Sequence, residues 1–196
     1  MNTSSAYRNI AVFASGNGSN AENMVRYFRD SDCRVRVALI VCNKPGAGVL
    51  QRAHDLSVPS ALLTRDEINN PDVLMPLLRR HKIDTVVLAG FLLMVPGFLI
   101  DSFAPRIVNL HPSLLPKFGG KGMYGRHVHQ AVVDAGETET GITIHHVSRQ
   151  YDEGRIIFQA SVAVSPDDTP DDVERKIHAL EREYFAPVVD KTLFRL

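Results

Sequence analysis

Asn109 and His111 stand two apart in Asn109-Leu110-His111-Pro112-Ser113-Leu114-Leu115-Pro116-Lys117. Residues at that spacing on an extended chain share one side. An amide donates to an oxygen that is gaining negative charge, and an imidazole carries protons near neutral pH. Together they suit addition to a carbonyl, although a strand-end Asn-x-His taken alone fits a structural histidine equally well. A second group is Ser15-Gly16-Asn17-Gly18-Ser19-Asn20-Ala21. Gly16 and Gly18 permit positive φ, and Ser19 or Asn20 is placed to cap a helix whose N–H groups face a phosphate. The run Gly16-x-Gly18-x-x-Ala21 fits a dinucleotide fingerprint, which also asks for a carboxylate about 20 residues on. The second strand instead ends Val41-Cys42-Asn43-Lys44. NAD is therefore not expected, and a single phosphate or phosphoribose is. The bland alternative is a tight turn with no ligand.

The elements that must position these groups follow from periodicity. Short apolar runs at Arg8–Ala14, Arg34–Cys42, Val58–Leu62, Thr85–Ala89 and Arg106–Leu110 read as strands. Between them, Asn20–Arg29, Gly48–Leu56 and Asp72–His81 carry helical spacing. This alternation implies βαβ units on a parallel sheet. His111–Arg126 has no period and is long for a connection without function. His127–Ala135 reads as a helix. Thr143–Val147 and Arg155–Val164 alternate about a turn at Gln150–Gly154, as an antiparallel pair does. Pro170–Phe194 reads as a closing helix, broken or kinked near Pro187. The expected fold class is α/β, with a Rossmann-like, mostly parallel sheet, flanking helices, an antiparallel C-terminal strand pair and a closing helix. No repeat or linker interrupts it, so one domain over residues 1–196 is expected.

The 196 residues carry 22 basic and 22 acidic side chains, a net charge of zero. A surface built for duplex nucleic acid or anionic lipid usually has a basic excess, so neither partner is expected. Cys33 and Cys42 cannot make a disulfide framework and read as free thiols near a strand. The N-terminus has no secretory pattern and Thr85–Ile100 is too short and broken to span a membrane, so a cytoplasmic location is expected. His127-Val128-His129 lacks third and fourth ligands at metal spacing, so no metal is expected. Asp167, Asp168, Asp171 and Asp172 flank Thr169-Pro170, where helix capping and the macrodipole account for them.

The nine-residue segment at Asn109–Lys117, with Ser-Gly-Asn-Gly-Ser-Asn after the first strand and Ala89-Gly90-Phe91 after a central one, resembles the formyltetrahydrofolate-dependent formyltransferases. The resemblance runs from about Asn9 to Phe185 and implies the formyltransferase fold. It implies formyl transfer from 10-formyltetrahydrofolate, as co-substrate, to the amine of phosphoribosylglycinamide in purine synthesis. It divides the chain into a phosphate-substrate half, 8–105, and a catalytic and folate half, 106–196. It implies catalytic roles for Asn109, His111 and Asp152, with His145 in support. Gly16, Asn17, Gly18, Ser19, Asn20 and Glu181 then hold the phosphorylated substrate, and His127 or His129 falls in the substrate-side loop. The folate falls to Arg65, Leu92, Leu93, Met94, Val95 and Asn109. Leu93 stands where many relatives have arginine, and Lys121-Gly122-Met123-Tyr124-Gly125 departs from the commonest family loop. The implied partners are small molecules only, for a monomer or homodimer. The alternative within the family is a formyltetrahydrofolate deformylase, although only about seven residues precede the first strand, where deformylases carry a regulatory domain. Methionyl-tRNA formyltransferases share the His segment but add a basic C-terminal domain. A different class is a non-catalytic nucleotide-binding module.

Overall fold

In the computed structural model, which describes residues 7–193, the chain divides into two units, Met1–Ile107 and Val108–Leu196. Unit 1 runs β1 (Arg8–Ala14), α1 (Ser19–Asp30), β2 (Val35–Cys42), α2 (Gly48–Asp55), β3 (Ser60–Leu62), α3 (Arg65–Ile68), α4 (Pro71–Arg80), β4 (Thr85–Leu88) and α5 (Gly97–Phe103). Its strands lie in the order β3-β2-β1-β4, every pairing parallel. Ile10 to Ala14 are at most 1% exposed, as expected of a central parallel strand. The register matches Ala14 with Cys42 and Phe13 with Leu88. The loops after β1, β2 and β4 therefore leave from one carboxyl edge, where the strand order reverses about β1. α1 turns Ala21, Met24, Val25 and Phe28 into the core. Burial of a large apolar side chain stabilises by about 1.5–3 kcal/mol, which is what holds a twelve-residue helix on its sheet.

β5 (Ile107–His111) is followed in unit 2 by α6 (Arg126–Asp134), β6 (Glu139–His146), β7 (Ile156–Ala163) and α7 (Pro170–Leu193). β6 pairs antiparallel with β5 and with β7, and α7 packs against α6, β6 and β7. The α/β reading is what the structure shows: parallel strands with helices first, then the antiparallel pair and the closing helix. Several details differ. α7 is not broken at Pro187. Its buried stripe (Val173, Ile177, Phe185, Val189) continues on both sides of that residue, and packing outweighs the cost of about 3 kcal/mol for an interior proline. The expected helix end at Phe194 lies outside the described residues. β6 begins at Glu139, four residues before the expected start, because Gly141 allows Ala160 O to approach where a Cβ would stand at 2.0 Å. α3 and α5 were not expected. Cys42 is buried, whereas Cys33 is only half-buried.

Candidate active site

The β5–β6 register builds the centre of unit 2. Asn109 faces His145 across the ladder, and His111 faces Thr143. Directly opposed residues share a face at close range, and Asn109 Nδ2 lies 3.0 Å from His145 Nε2. His145 Nδ1 lies 2.9 Å from the His146 carbonyl, which can only accept. The proton of neutral His145 is therefore on Nδ1, and its Nε2 accepts from Asn109. Burial leads in pushing the His145 pKa down; its Nδ1 bond to His146 and the Asp152 charge oppose this. A neutral ring is what the bond from Asn109 requires.

Asp152 returns to this pair through the turn between β6 and β7. Gly154 makes that return possible, since a Cβ there would stand 1.6 Å from the His146 carbonyl oxygen. His146 N–H then donates to Arg155 O at 2.9 Å. Asp152 has φ +56°, in the left-handed region. Its Oδ2 accepts from Gly120 N–H at 2.8 Å and faces His111 Nδ1 at 3.5 Å, while Oδ1 faces His145 Nε2 at 3.7 Å. His111 is 3% exposed. Its Nε2 donates to the Phe118 carbonyl at 2.8 Å, so the loop that follows β5 folds back over it. Ser113 donates to Lys117 O, and Thr143 donates to Ser113 O, fixing the loop's base.

The glycine loop of unit 1 is assembled differently. Gly18, with φ +84°, is the N-cap of α1, and no side chain caps the helix. The expected cap at Ser19 or Asn20 is therefore not the one formed: Gly18 takes the cap position, and both residues lie in the first helical turn. A Cβ on Gly18 would stand 2.6 Å from Val49, so only glycine lets α2 approach this closely. Val49 N–H donates to Gly16 O at 3.2 Å. Arg52 donates from Nε to Asn17 O at 2.9 Å and from Nη2 to Asn17 Oδ1 at 2.7 Å, and its Nη1 pairs with Glu22. Ser15 ties three loops together: its hydroxyl donates to Asn43 at 2.5 Å and accepts from Leu92 N–H at 2.9 Å, and its N–H donates to Gly90 O. Asn43 thus has a structural partner where a dinucleotide site would carry its carboxylate.

The sequence matches the family described as formyl transferase over residues 8–189. The chain belongs to the formyl transferase family. Among its relatives, the chloroplastic phosphoribosylglycinamide formyltransferase of Arabidopsis thaliana is 37% identical over 187 residues, 93% of this chain. The chain spans only 64% of the length of that plant protein. The Bacillus subtilis phosphoribosylglycinamide formyltransferase is 34% identical over 190 residues, 95% of either chain. The crystal structure of phosphoribosylglycinamide formyltransferase from Bacillus halodurans superposes with a TM-score of 0.86 at 34% identity, over 95% of each chain.

In this member of the family the structure gathers Asn109, His111, His145 and Asp152 in unit 2, and Gly16 to Asn20 at the carboxyl edge of unit 1. Leu92 to Val95 lie in the loop after β4, at that same edge, with Leu92 37% and Met94 51% exposed. Large apolar side chains left open beside a carboxyl edge suit a flat ligand. Arg65 is exposed on the first turn of α3, behind a capping box closed by Thr64 and Glu67. Glu181 is buried on α7, 3.9 Å from His178 Nε2. His127 stacks edge-on against Tyr124, and His129 is buried between α6 and α7. Among the described residues no group of three His, Cys, Asp or Glu is placed to hold a metal, and no helix is long and apolar enough to cross a membrane. Sequence reasoning missed Arg52, the bond between Ser15 and Asn43, and the two backbone partners Phe118 O and Gly120 N–H. Arg52 and Asn17 are 35 residues apart, and no motif joins them.

Proposed function

We propose that the chain transfers the formyl group of 10-formyltetrahydrofolate to the amine of phosphoribosylglycinamide, releasing the formylated product and tetrahydrofolate in purine synthesis. The cluster of buried His111 and His145 with half-buried Asn109 and Asp152 carries this reading. The amine attacks the formyl carbon, forming a C–N bond and placing negative charge on the formyl oxygen. Collapse breaks the bond to folate N10, and the amine's proton must reach N10. Asn109 spends one Nδ2 hydrogen on His145, which fixes the amide plane and leaves its other hydrogen for the oxyanion. Such a donor typically accounts for ~10²–10³ in rate. Asp152 faces His111 Nδ1, so it orients the imidazole and positions the group, or a water, through which the proton passes. The Phe118 carbonyl holds Nε2 in this conformation, and that bond must exchange if His111 is to meet the oxyanion through Nε2.

The phosphate falls to the loop Gly16–Asn20, at the N-terminus of α1, and Glu181 contacts the glycinamide part. The folate lies on Leu92–Val95, with Asn109 near its formyl group and Arg65 on its acidic tail. Both substrates are small molecules, and nothing in this chemistry requires a metal or NAD. The test is release of 5,8-dideazafolate from its formylated form, with and without phosphoribosylglycinamide. Release that depends on phosphoribosylglycinamide is the expected result. Release independent of it makes the chain a hydrolase, and none makes it a binding module.

A further inference from the structure

Unit 2 holds a second recess, away from the histidine cluster. Successive residues of a strand face opposite sides of a sheet. In β6, His145 turns to Asn109 and Asp152, whereas His146 Nε2 meets Arg155 Nη2 at 3.2 Å. On the His146 side, between the start of β7 and the last turns of α7, lies a cavity of about 480 Å3. Pockets for small ligands span roughly 300–1,000 Å3.

Its lining combines two chemistries. Phe158 and Tyr184 stack with ring centres 5.1 Å apart and planes tilted by 33°, and Val188 extends this apolar wall. Arg155 and Lys191 supply two positive charges, and both are exposed. A guanidinium only donates, so His146 Nε2 accepts from Arg155 and leaves its charge uncompensated. Among the described residues neither Arg155 nor Lys191 has a carboxylate within ion-pair reach, and no Asp or Glu lines the cavity. Glu183, next to Tyr184 on α7, is engaged by the Tyr184 hydroxyl. Lys117, Arg126, Arg175 and Lys176 in the same unit all have acidic partners. Two unpaired cations beside a stacked aromatic wall are complementary to one kind of occupant: a flat ring bearing a negative charge.

We propose that this recess binds a small aromatic or heteroaromatic carboxylate, its ring on Phe158 and Tyr184 and its carboxylate between Arg155 and Lys191. The full chain is titrated with 2-naphthoate, and separately with the uncharged 2-naphthamide, while its amide NMR spectrum is recorded. Naphthoate is expected to shift the amides of Arg155–Phe158 and Tyr184–Thr192 saturably, and to bind about tenfold tighter than naphthamide. The pair Arg155→Gln with Lys191→Gln should bring naphthoate down to the affinity of naphthamide. Tyr184→Ala should weaken both probes. If the double variant loses its native spectrum, Lys191→Gln alone decides, with an expected loss of about threefold for naphthoate only. Equal affinities for the two probes, saturable shifts confined to other segments, or no saturable shift in the wild-type chain would each overturn the proposal.

Discussion

Loop 15–20 in unit 1 offers backbone and is held by side chains. The cluster in unit 2 offers side chains and is held by backbone. Around the loop, Arg52 grips Asn17 from α2, Ser15 bridges to Asn43, and Val49 presses on Gly18. Main-chain N–H groups at the start of a helix suit an anion whose charge stays constant. In the cluster, His146 O fixes the tautomer of His145, Phe118 O holds His111, and Gly120 N–H holds Asp152. What these contacts orient are an amide, a carboxylate and an imidazole, the groups needed where charge appears and a proton moves. Under the proposed function the contrast becomes one of binding against chemistry, and it separates the expected effects of substitution.

The largest effect should fall on the cluster. Asp152→Asn and Asn109→Ala are each expected to lower kcat by ~10²–10³-fold, with KM for phosphoribosylglycinamide changed by less than about threefold. Steady-state kinetics with both substrates varied would show it. Near wild-type kcat in both variants would erase the distinction between the two regions. Next comes Gly18→Ala, at the loop. The new Cβ would meet Val49 at 2.6 Å from a backbone with φ +84°. The expected cost is about 2–4 kcal/mol of stability, read as a lower denaturant midpoint, together with a raised KM for the phosphorylated substrate. A variant as stable as wild type would mean that α2 does not clamp the loop.

The strands and most helices were legible because their apolar periods are clean, as in Arg8–Ala14 and Thr85–Leu88. The missed α3 had a readable signal: Thr64 and Glu67 form a capping box three residues apart. α5 had less to offer, since Gly97-Phe98-Leu99-Ile100 extends an apolar run already broken by Gly90 and Pro96. Pro187 does not end α7, because tertiary packing overrides a local breaker. Within the site, Asn109 and His111 were visible from their spacing, whereas Asp152 rested on resemblance. The Gly120 N–H and Phe118 carbonyl carry no side-chain signature at all. Arg52 could not be separated from other helix-surface arginines until α2 was set beside α1.

Arg52 allows a test of binding alone. Arg52→Met keeps the aliphatic stem but removes both bonds to Asn17 and the pair with Glu22. Two charge-assisted bonds at a half-exposed site suggest a loss of about 1–2 kcal/mol in holding the loop. KM for phosphoribosylglycinamide should rise about tenfold, with kcat at saturation and KM for the formyl-folate within about twofold. Arg52→Lys should recover only part of this, since an ammonium cannot span the carbonyl and side-chain oxygens of Asn17 as the guanidinium fork does. An equal fall in kcat would place Arg52 with the chemistry.

The smallest effect concerns a buried histidine outside the cluster. His129 on α6 is 2% exposed and its Nδ1 has no hydrogen-bond partner. Its pKa is lowered from 6.5, chiefly by burial, with His178 and Arg126 acting in the same direction and Glu174 opposing. The sign of the pH effect follows. Just below 6.5 the unfolded chain takes up this proton while the folded chain does not, so stability falls as pH falls, until the folded ring protonates too. His145, also lowered by burial, contributes with the same sign. His129→Leu removes one of the two contributions and an unsatisfied nitrogen at nearly constant volume. Stability at neutral pH should rise by up to about 1 kcal/mol, and the loss of Tm on acidifying below 6.5 should shrink but not vanish, because His145 remains. An unchanged acid-induced loss would mean that His129 does not titrate differently on folding.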